Sequence, residues 1–81
     1  MRHEVEFEPS ALNAAARFLK DDPAGLRALL DAIDGLADEP RPRSSAPFGD
    51  YRRLRVGPYR ALYAIEDAAV RVLVLHPGRA G

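Results

Sequence analysis

The residues best suited to chemistry are the arginines of one short segment, residues 51–60, which reads Tyr-Arg-Arg-Leu-Arg-Val-Gly-Pro-Tyr-Arg. Because side chains alternate along a strand, Arg53 and Arg55 project to the face opposite Leu54. Arg60 follows a Gly-Pro turn and can join them from the next strand. A guanidinium carries a planar fork of donors that matches phosphate oxygens. The segment therefore predicts a cluster of cations on one face of a hairpin.

A fourth cation, Arg79, follows the last predicted strand and can reach the end of the same surface. Four such cations predict a phosphate-binding cluster, which could also stabilise the charge that develops on a phosphodiester during cleavage. A second interpretation stays open here. Charged residues alternate on most exposed strand faces, so the arginines can also be an ordinary solvated surface.

Length and composition limit the kind of protein. An 81-residue chain has room for one small domain, residues 1–81, with one sheet and one helical layer. It has no cysteine, and its two histidines, His3 and His76, are far apart, so neither a disulfide framework nor a metal site is expected. The sequence has no apolar run long enough for a membrane span and no signal-peptide core, which predicts a cytoplasmic protein without a membrane partner.

The formal net charge of +0 conceals a division between the two halves of the chain. Residues 1–40 carry four basic and nine acidic side chains, a net charge of −5. Residues 41–81 carry eight basic side chains, all arginine, and three acidic ones, a net charge of +5. The second half either binds an anionic partner or forms ion pairs with the first half, and charge asymmetry alone favours neither.

Apolar periodicity and turn residues predict an α+β fold. The predicted order is a strand at 3–8, a helix at 11–19, a helix that starts after the cap Asp22 and runs to Leu36, a proline-rich connection at 38–47, and strands at 51–56, 59–66 and 70–75. We expect the N-terminal strand, the two-helix hairpin and the three-stranded antiparallel meander to form one four-stranded, largely antiparallel sheet. The helices cover one face and leave the other open. The last strand is apolar enough to be covered on both faces.

The element order and residues 51–63, Tyr-Arg-Arg-Leu-Arg-Val-Gly-Pro-Tyr-Arg-Ala-Leu-Tyr, resemble the RelE/ParE superfamily of bacterial type II toxin-antitoxin systems. The opening Val-Glu-Phe-Glu-Pro-Ser-Ala at 5–11 and the Leu-Ala-Asp-Glu-Pro end of the second helix at 36–40 support it. The resemblance covers nearly the whole chain, and the arginine-rich hairpin is its most specific part.

This resemblance implies a RelE-like toxin that cuts messenger RNA on the ribosome, without metal or other cofactor, by making a 2′-hydroxyl attack its own phosphodiester. By position, Arg53 matches a basic residue near that hydroxyl, Arg60 the arginine on the scissile phosphate, and Arg79 the basic residue after the last strand. Arg52 and Arg55 would grip the substrate beside them. The implied partners are a RelB-like antitoxin that covers the arginine face, the ribosome and its message.

Three further residues have two interpretations each. RelE-type nucleases usually carry a tyrosine or histidine beyond the last strand, whereas this sequence ends at Gly81, so His76 is the nearby imidazole for proton exchange. A histidine that ends an apolar strand can equally cap the sheet. Tyr51 either stacks on RNA or packs against the helices. Tyr59 and Tyr63 share a strand face with apolar neighbours and are expected in the core.

Two other functions remain open. A ParE-type toxin has the same fold and inhibits DNA gyrase by binding, without cutting a nucleic acid. Since arginine is a poor proton acceptor, a homologue with weakened catalysis that mainly binds its antitoxin is the third possibility.

Overall fold

The computed structural model describes residues 2–77 and arranges them as five strands and two helices. In chain order these are β1 (Glu4–Phe7), α1 (Pro9–Asp21), α2 (Pro23–Gly35), β2 (Ser45–Phe48), β3 (Tyr51–Val56), β4 (Tyr59–Glu66) and β5 (Ala69–Pro77). The strands form one sheet in the order β1-β5-β4-β3-β2. Strands β2 to β5 are an antiparallel meander, and β1 pairs parallel with β5. No helix within these residues is both long and apolar enough to cross a membrane.

The predicted α+β class and the antiparallel meander are confirmed, but the prediction of four strands is wrong, since the sheet has five strands and is mixed through the parallel β1–β5 pair. The fifth strand, β2, lies at the end of the segment expected to be a connection. Pro47 falls within it, which the sheet tolerates because β2 is the outermost strand. The parallel pair arises because the two helices carry the chain across the sheet after β1, and a parallel neighbour needs such a crossover.

The helical hairpin is set by two prolines and one cap. Pro9 and Pro23 each stand in the first turn of a helix, where a missing N–H costs nothing. The Asp22 carboxylate accepts a hydrogen bond from the Gly25 amide at 3.0 Å, which satisfies one of the free donors at the start of α2. The predicted cap at Asp22 is therefore confirmed.

The core lies between the helices and one face of the sheet. It is built from small and branched residues of the helices and alternate residues of the strands: Ala11, Ala14, Phe18, Leu26, Leu29, Ile33, Leu36, Leu54, Tyr59, Ala61, Tyr63, Val70, Val72 and Leu75. Tyr59 and Tyr63 are both buried, as predicted, and the Tyr63 hydroxyl donates to the Pro40 carbonyl. The opposite sheet face has no helical layer over it among the described residues.

Strand β5 is not covered on both faces, contrary to prediction, since Val74 is 40% exposed. Its apolar run reflects an irregularity in the pairing of β5 with β4. Leu62 pairs with Val74 and Tyr63 with Val72, so Leu73 is an extra residue on β5. The Ser10 hydroxyl donates to the Leu73 carbonyl at 2.8 Å, which gives the bulged residue a partner. This bulge shifts the alternation, so that Leu75 faces the core and Val74 does not.

We expect Gly25→Ala to lower the free energy of unfolding by about 1 to 3 kcal/mol. A Cβ at this position would approach Cγ of Asp22 to 2.7 Å and Cε2 of Tyr59 to 2.8 Å, so both side chains would have to move. Urea denaturation measures the change. The matched control is Gly35→Ala in the same helix, where a Cβ meets nothing within 4 Å and better helix propensity predicts a gain of up to about 1 kcal/mol. Equal effects of the two substitutions would contradict the steric argument.

Candidate functional site

Three cationic or titratable side chains stand directly opposite one another on neighbouring strands of the open sheet face. Arg55 on β3 pairs with Arg60 on β4, which pairs in turn with His76 on β5. We call these three residues the arginine row. Directly opposite side chains on antiparallel strands have Cβ atoms about 4.5 to 5.5 Å apart, so a single small anion can contact neighbours in the row.

The alternation along each strand turns the row toward the open face. Leu54, Ala61 and Leu75, which neighbour the row residues in sequence, are all buried under the helices. For His76 this depends on the bulge at Leu73. Regular alternation from the buried Val70 and Val72 would have sent residue 76 to the helical side.

The charges of the row are not neutralised by acidic side chains of the described residues. The ion pairs within residues 2–77 join Arg2 to Asp34 and Asp38, and Arg71 to Glu66. Each pair stays within its own half of the sequence, so the two halves do not neutralise each other through ion pairs in this part of the chain. Like charges directly opposite each other destabilise a sheet. The Arg55–Arg60 pair therefore favours a bound anion.

A second group of side chains lies on the same face, beside the row and toward β2. Arg53 pairs with Ala46 on β2 and Leu62 on β4, and its guanidinium carbon lies 4.8 Å from the centre of the Phe48 ring. This is cation–π distance. Phe48 and Tyr51 pair directly across β2 and β3 and are 48% and 45% exposed.

Most of the sequence-predicted site residues thus share the open face: Tyr51, Arg53, Arg55, Arg60 and His76. Tyr51 is exposed and does not pack against the helices. Arg52 lies on the other face with Leu54, where its Nε donates to the Ser45 hydroxyl at 3.0 Å and its Nη2 to the Ser45 carbonyl at 3.3 Å. Arg79 lies outside the described residues.

Phe48 is not among the residues predicted from the sequence. Residues 38–47 are assigned to a connection there, and no strand is placed between that connection and Tyr51. The signal was nevertheless present. Phe-Gly-Asp-Tyr at 48–51 places two aromatic residues around a two-residue turn, and Gly49 has a φ of 63°, which the first position of such a hairpin turn requires.

The row is anchored from the helical side through Tyr59, the residue before Arg60. The Tyr59 hydroxyl donates to Oδ2 of Asp22 at 2.8 Å, and its ring lies 4.9 Å from that of Phe18. The hydrogen bond to the carboxylate, followed by burial and the negative charges of Asp22 and Asp21, raises the pKa of Tyr59 above its ordinary value of 10.0. The hydroxyl therefore stays protonated as a donor. The Tyr59 carbonyl also accepts from Nη1 of Arg60 at 3.4 Å.

A sheet covered on one face by a helical hairpin is also the fold of toxins in solved toxin-antitoxin complexes. The model of the ParE toxin family of the type II toxin-antitoxin system parDE matches residues 5–80. The chain belongs to this RelE/ParE superfamily of toxins, which confirms the resemblance noted in its sequence. The search of curated proteins gave no match.

Solved structures agree with this family. The archaeal RelE–RelB complex from Pyrococcus horikoshii matches at 26% identity and a TM-score of 0.80 over 100% of this chain and 100% of that one. The RelBE2 toxin-antitoxin complex from Mycobacterium tuberculosis matches at 26% identity and a TM-score of 0.82, covering 95% of this chain and 99% of that one. The YoeB dimer from Staphylococcus aureus, at 13% identity, a TM-score of 0.76 and coverage of 91% and 94%, shares the fold.

We expect Arg55→Thr to raise the free energy of unfolding by about 0.2 to 1 kcal/mol at low salt, because it removes the like-charge repulsion across β3 and β4. Inorganic phosphate at constant ionic strength should stabilise the natural protein more than this variant. Urea denaturation with and without phosphate measures both effects. The control is Arg17→Gln, on the exposed side of α1. Glutamine is used there because threonine would lower the helix propensity. Loss of stability in Arg55→Thr would contradict the repulsion.

We expect Tyr59→Phe to lower the free energy of unfolding by about 1 kcal/mol at neutral pH, since a hydrogen bond to a partly exposed carboxylate is lost. The folded pKa of Tyr59 is raised, so this contribution is complete below pH 10 and is lost as the pH rises through the folded pKa. The difference between the natural protein and Tyr59→Phe should therefore shrink above pH 10 in denaturation curves. A constant difference to pH 11 or beyond would contradict the linkage.

Proposed function

We propose that this toxin is a RelE-type endoribonuclease, which cleaves messenger RNA on the ribosome in the cytoplasm and is neutralised by a RelB-like antitoxin. The observation that carries the proposal is the Arg55–Arg60 pair, two cations directly opposite each other on an open sheet face with no ion-pair partner among the described residues. A phosphodiester supplies the negative charge that this pair lacks.

In the proposed reaction the 2′-hydroxyl of one ribose loses its proton to solvent, its oxygen forms a bond to the adjacent phosphorus, and the bond from phosphorus to the 5′-oxygen breaks. The products are a 2′,3′-cyclic phosphate and a 5′-hydroxyl. Arg60 and Arg55 donate to the non-bridging oxygens, whose negative charge increases in the transition state. Preorganised donors at such a position typically contribute about 10²- to 10³-fold each to the rate.

The remaining roles follow the resemblance. We assign Arg53 to the region of the 2′-hydroxyl and Arg79 to a second contact with the phosphate. His76 ends the row on β5, and an imidazole exchanges protons near neutral pH. We assign it to protonation of the departing 5′-oxygen. Tyr51 at the margin of the face grips the flanking strand, whereas Arg52, held by Ser45 on the helical side, lies away from that strand.

The antitoxin partner is supported by the matched structures from Pyrococcus horikoshii and Mycobacterium tuberculosis, which are toxin-antitoxin complexes. A segment with acidic or apolar side chains would fit the open face, where unneutralised arginines adjoin the exposed Phe48, Tyr51 and Val74. An antitoxin bound there would exclude RNA from the row.

A second function, inhibition of DNA gyrase by binding, is favoured by one observation, the match of residues 5–80 to a family described as ParE toxin. An arginine row suits a binding surface as well as a catalytic one. The two functions differ in whether the message is cut.

The decisive experiment is controlled expression in bacteria without antitoxin, followed by primer extension on a reporter message. We expect growth arrest and new 5′ ends at codon-spaced positions with the natural protein. We expect cleavage to fall about 100-fold or more in Arg60→Ala, and further in Arg60→Ala with Arg79→Ala. Arg17→Ala, an exposed arginine on α1, is the matched control and should cleave normally.

Other outcomes assign other functions. Growth arrest with intact messages, together with loss of supercoiling activity in a gyrase assay, would replace the nuclease proposal with the ParE-type one. Normal growth, with antitoxin binding retained in a pull-down, would leave an antitoxin-binding homologue with weakened catalysis.

A further inference from the structure

Two exposed aromatic residues are cross-strand partners at the β2 side of the open face. Phe48 and Tyr51 are direct partners across β2 and β3, at the two ends of the Gly49–Asp50 turn, and nearly half of each side chain is exposed. Neither ring is part of the core under the helices. Two neighbouring aromatic rings in water are an unusual use of residues that normally stabilise a small fold by burial.

Arg53 connects these rings to the arginine row. Its guanidinium lies over one face of the Phe48 ring, with 4.8 Å from the guanidinium carbon to the ring centre. The ring attracts a guanidinium at this distance, and the N–H donors of Arg53 remain available to an anion. No ion pair between described side chains involves Arg53. Arg53 can therefore also contact a flat group bound beside the Phe48 ring.

The geometry points to a base-stacking platform formed by Phe48, Tyr51 and Arg53, which receives an unpaired nucleobase of the RNA strand bound at the arginine row. This inference rests on the proposed function, because the row must hold an RNA phosphate. Unpaired bases stack on aromatic rings and on arginine guanidinium planes, and combining a cationic track with such rings is the general design of single-strand binding surfaces.

The spacing assigns the platform to a flanking nucleotide. Tyr51 and Arg55 are four residues apart on β3, which is about 13 Å along the strand. Arg53 lies midway between them on the same face. The stacked base therefore belongs to a nucleotide next to the scissile phosphate, and the platform fixes the position of the strand rather than taking part in bond cleavage.

The charge of the surface favours RNA over an apolar protein segment as the ligand. The apolar band beside the platform, formed by Leu62 and its partner Val74, is narrow, because Leu62 lies directly opposite Arg53 and two residues from Arg60 on the same strand face. An apolar partner would bury these charges without a counter-ion, which is costly. A nucleotide suits both the platform and the arginine row, because its base covers the aromatic rings while its phosphate accepts hydrogen bonds from the guanidinium groups.

The test measures binding separately from cleavage. Fluorescence anisotropy at low salt compares a short 2′-O-methyl oligouridylate, which cannot be cut by 2′-hydroxyl attack, with an abasic oligomer of the same length and charge. We expect Phe48→Leu and Tyr51→Leu each to weaken binding of the base-bearing oligomer roughly 5- to 150-fold, and binding of the abasic oligomer less than about 2-fold. Phe48→Tyr should retain binding.

The controls separate this inference from the proposed function. Leu12→Ala, at an apolar residue of α1 that is 55% exposed, should bind both oligomers normally. Arg55→Thr should weaken both oligomers alike. Equal affinity of the natural protein for base-bearing and abasic oligomers would overturn the platform and leave the anion site standing. An Arg55→Thr variant that binds normally would overturn the anion site and, with it, the placement of the platform beside that site, and absence of binding to either oligomer would overturn both.

Discussion

Within residues 2–77 one helical layer covers the sheet, and the rest of the structure depends on that constraint. Two helices of 13 residues each suffice for one face, so every strand must place its apolar side chains on alternate positions toward them. The other positions then meet solvent or a ligand. In β3 and β4 this divides Leu54 and Ala61 from Arg55 and Arg60, and the same alternation that builds the core builds the site.

The bulge in β5 shows how a single residue changes which side chains belong to the site. Without Leu73 as an extra residue, Val74 and His76 would continue the buried series of Val70 and Val72. The Ser10 hydroxyl, at the start of α1, donates a hydrogen bond to the freed Leu73 carbonyl. This bond offsets the interruption of the strand pairing at the bulge. Helix α1, which covers the core, thereby also stabilises the bulge that places His76 on the same face as the arginines.

Much of this architecture could be predicted from the sequence. Strands β3 and β4, the Asp22 cap and the buried tyrosines follow from local rules of alternation, capping and turns, which act over a few residues. The errors concern properties set by distant parts of the chain. The parallel β1–β5 pair joins residues at opposite ends of the sequence, and β2 is a strand because an edge position tolerates Pro47. The composition of the site also depends on the pairing of β2 with β3. This pairing lets Arg52 bond Ser45 on the helical side and brings Phe48 into contact with Arg53.

The repulsive pair Arg55 and Arg60 lies at the end of the β3–β4 hairpin, next to a residue that is anchored to the helices. Arg55 and Arg60 lie beside the Gly57–Pro58 turn, and Arg60 also pairs with His76 on β5. Tyr59 lies between that turn and Arg60 and extends to the opposite face, where Asp22 and Phe18 fix it to the helical hairpin. Consecutive residues of β4 thus have opposite tasks, one anchoring the strand in the core and the next carrying the charge. Because the Tyr59 anchor restrains the backbone that carries Arg60, it opposes the strand separation that the repulsion favours, and an anion bound between the two guanidinium groups would relieve that repulsion.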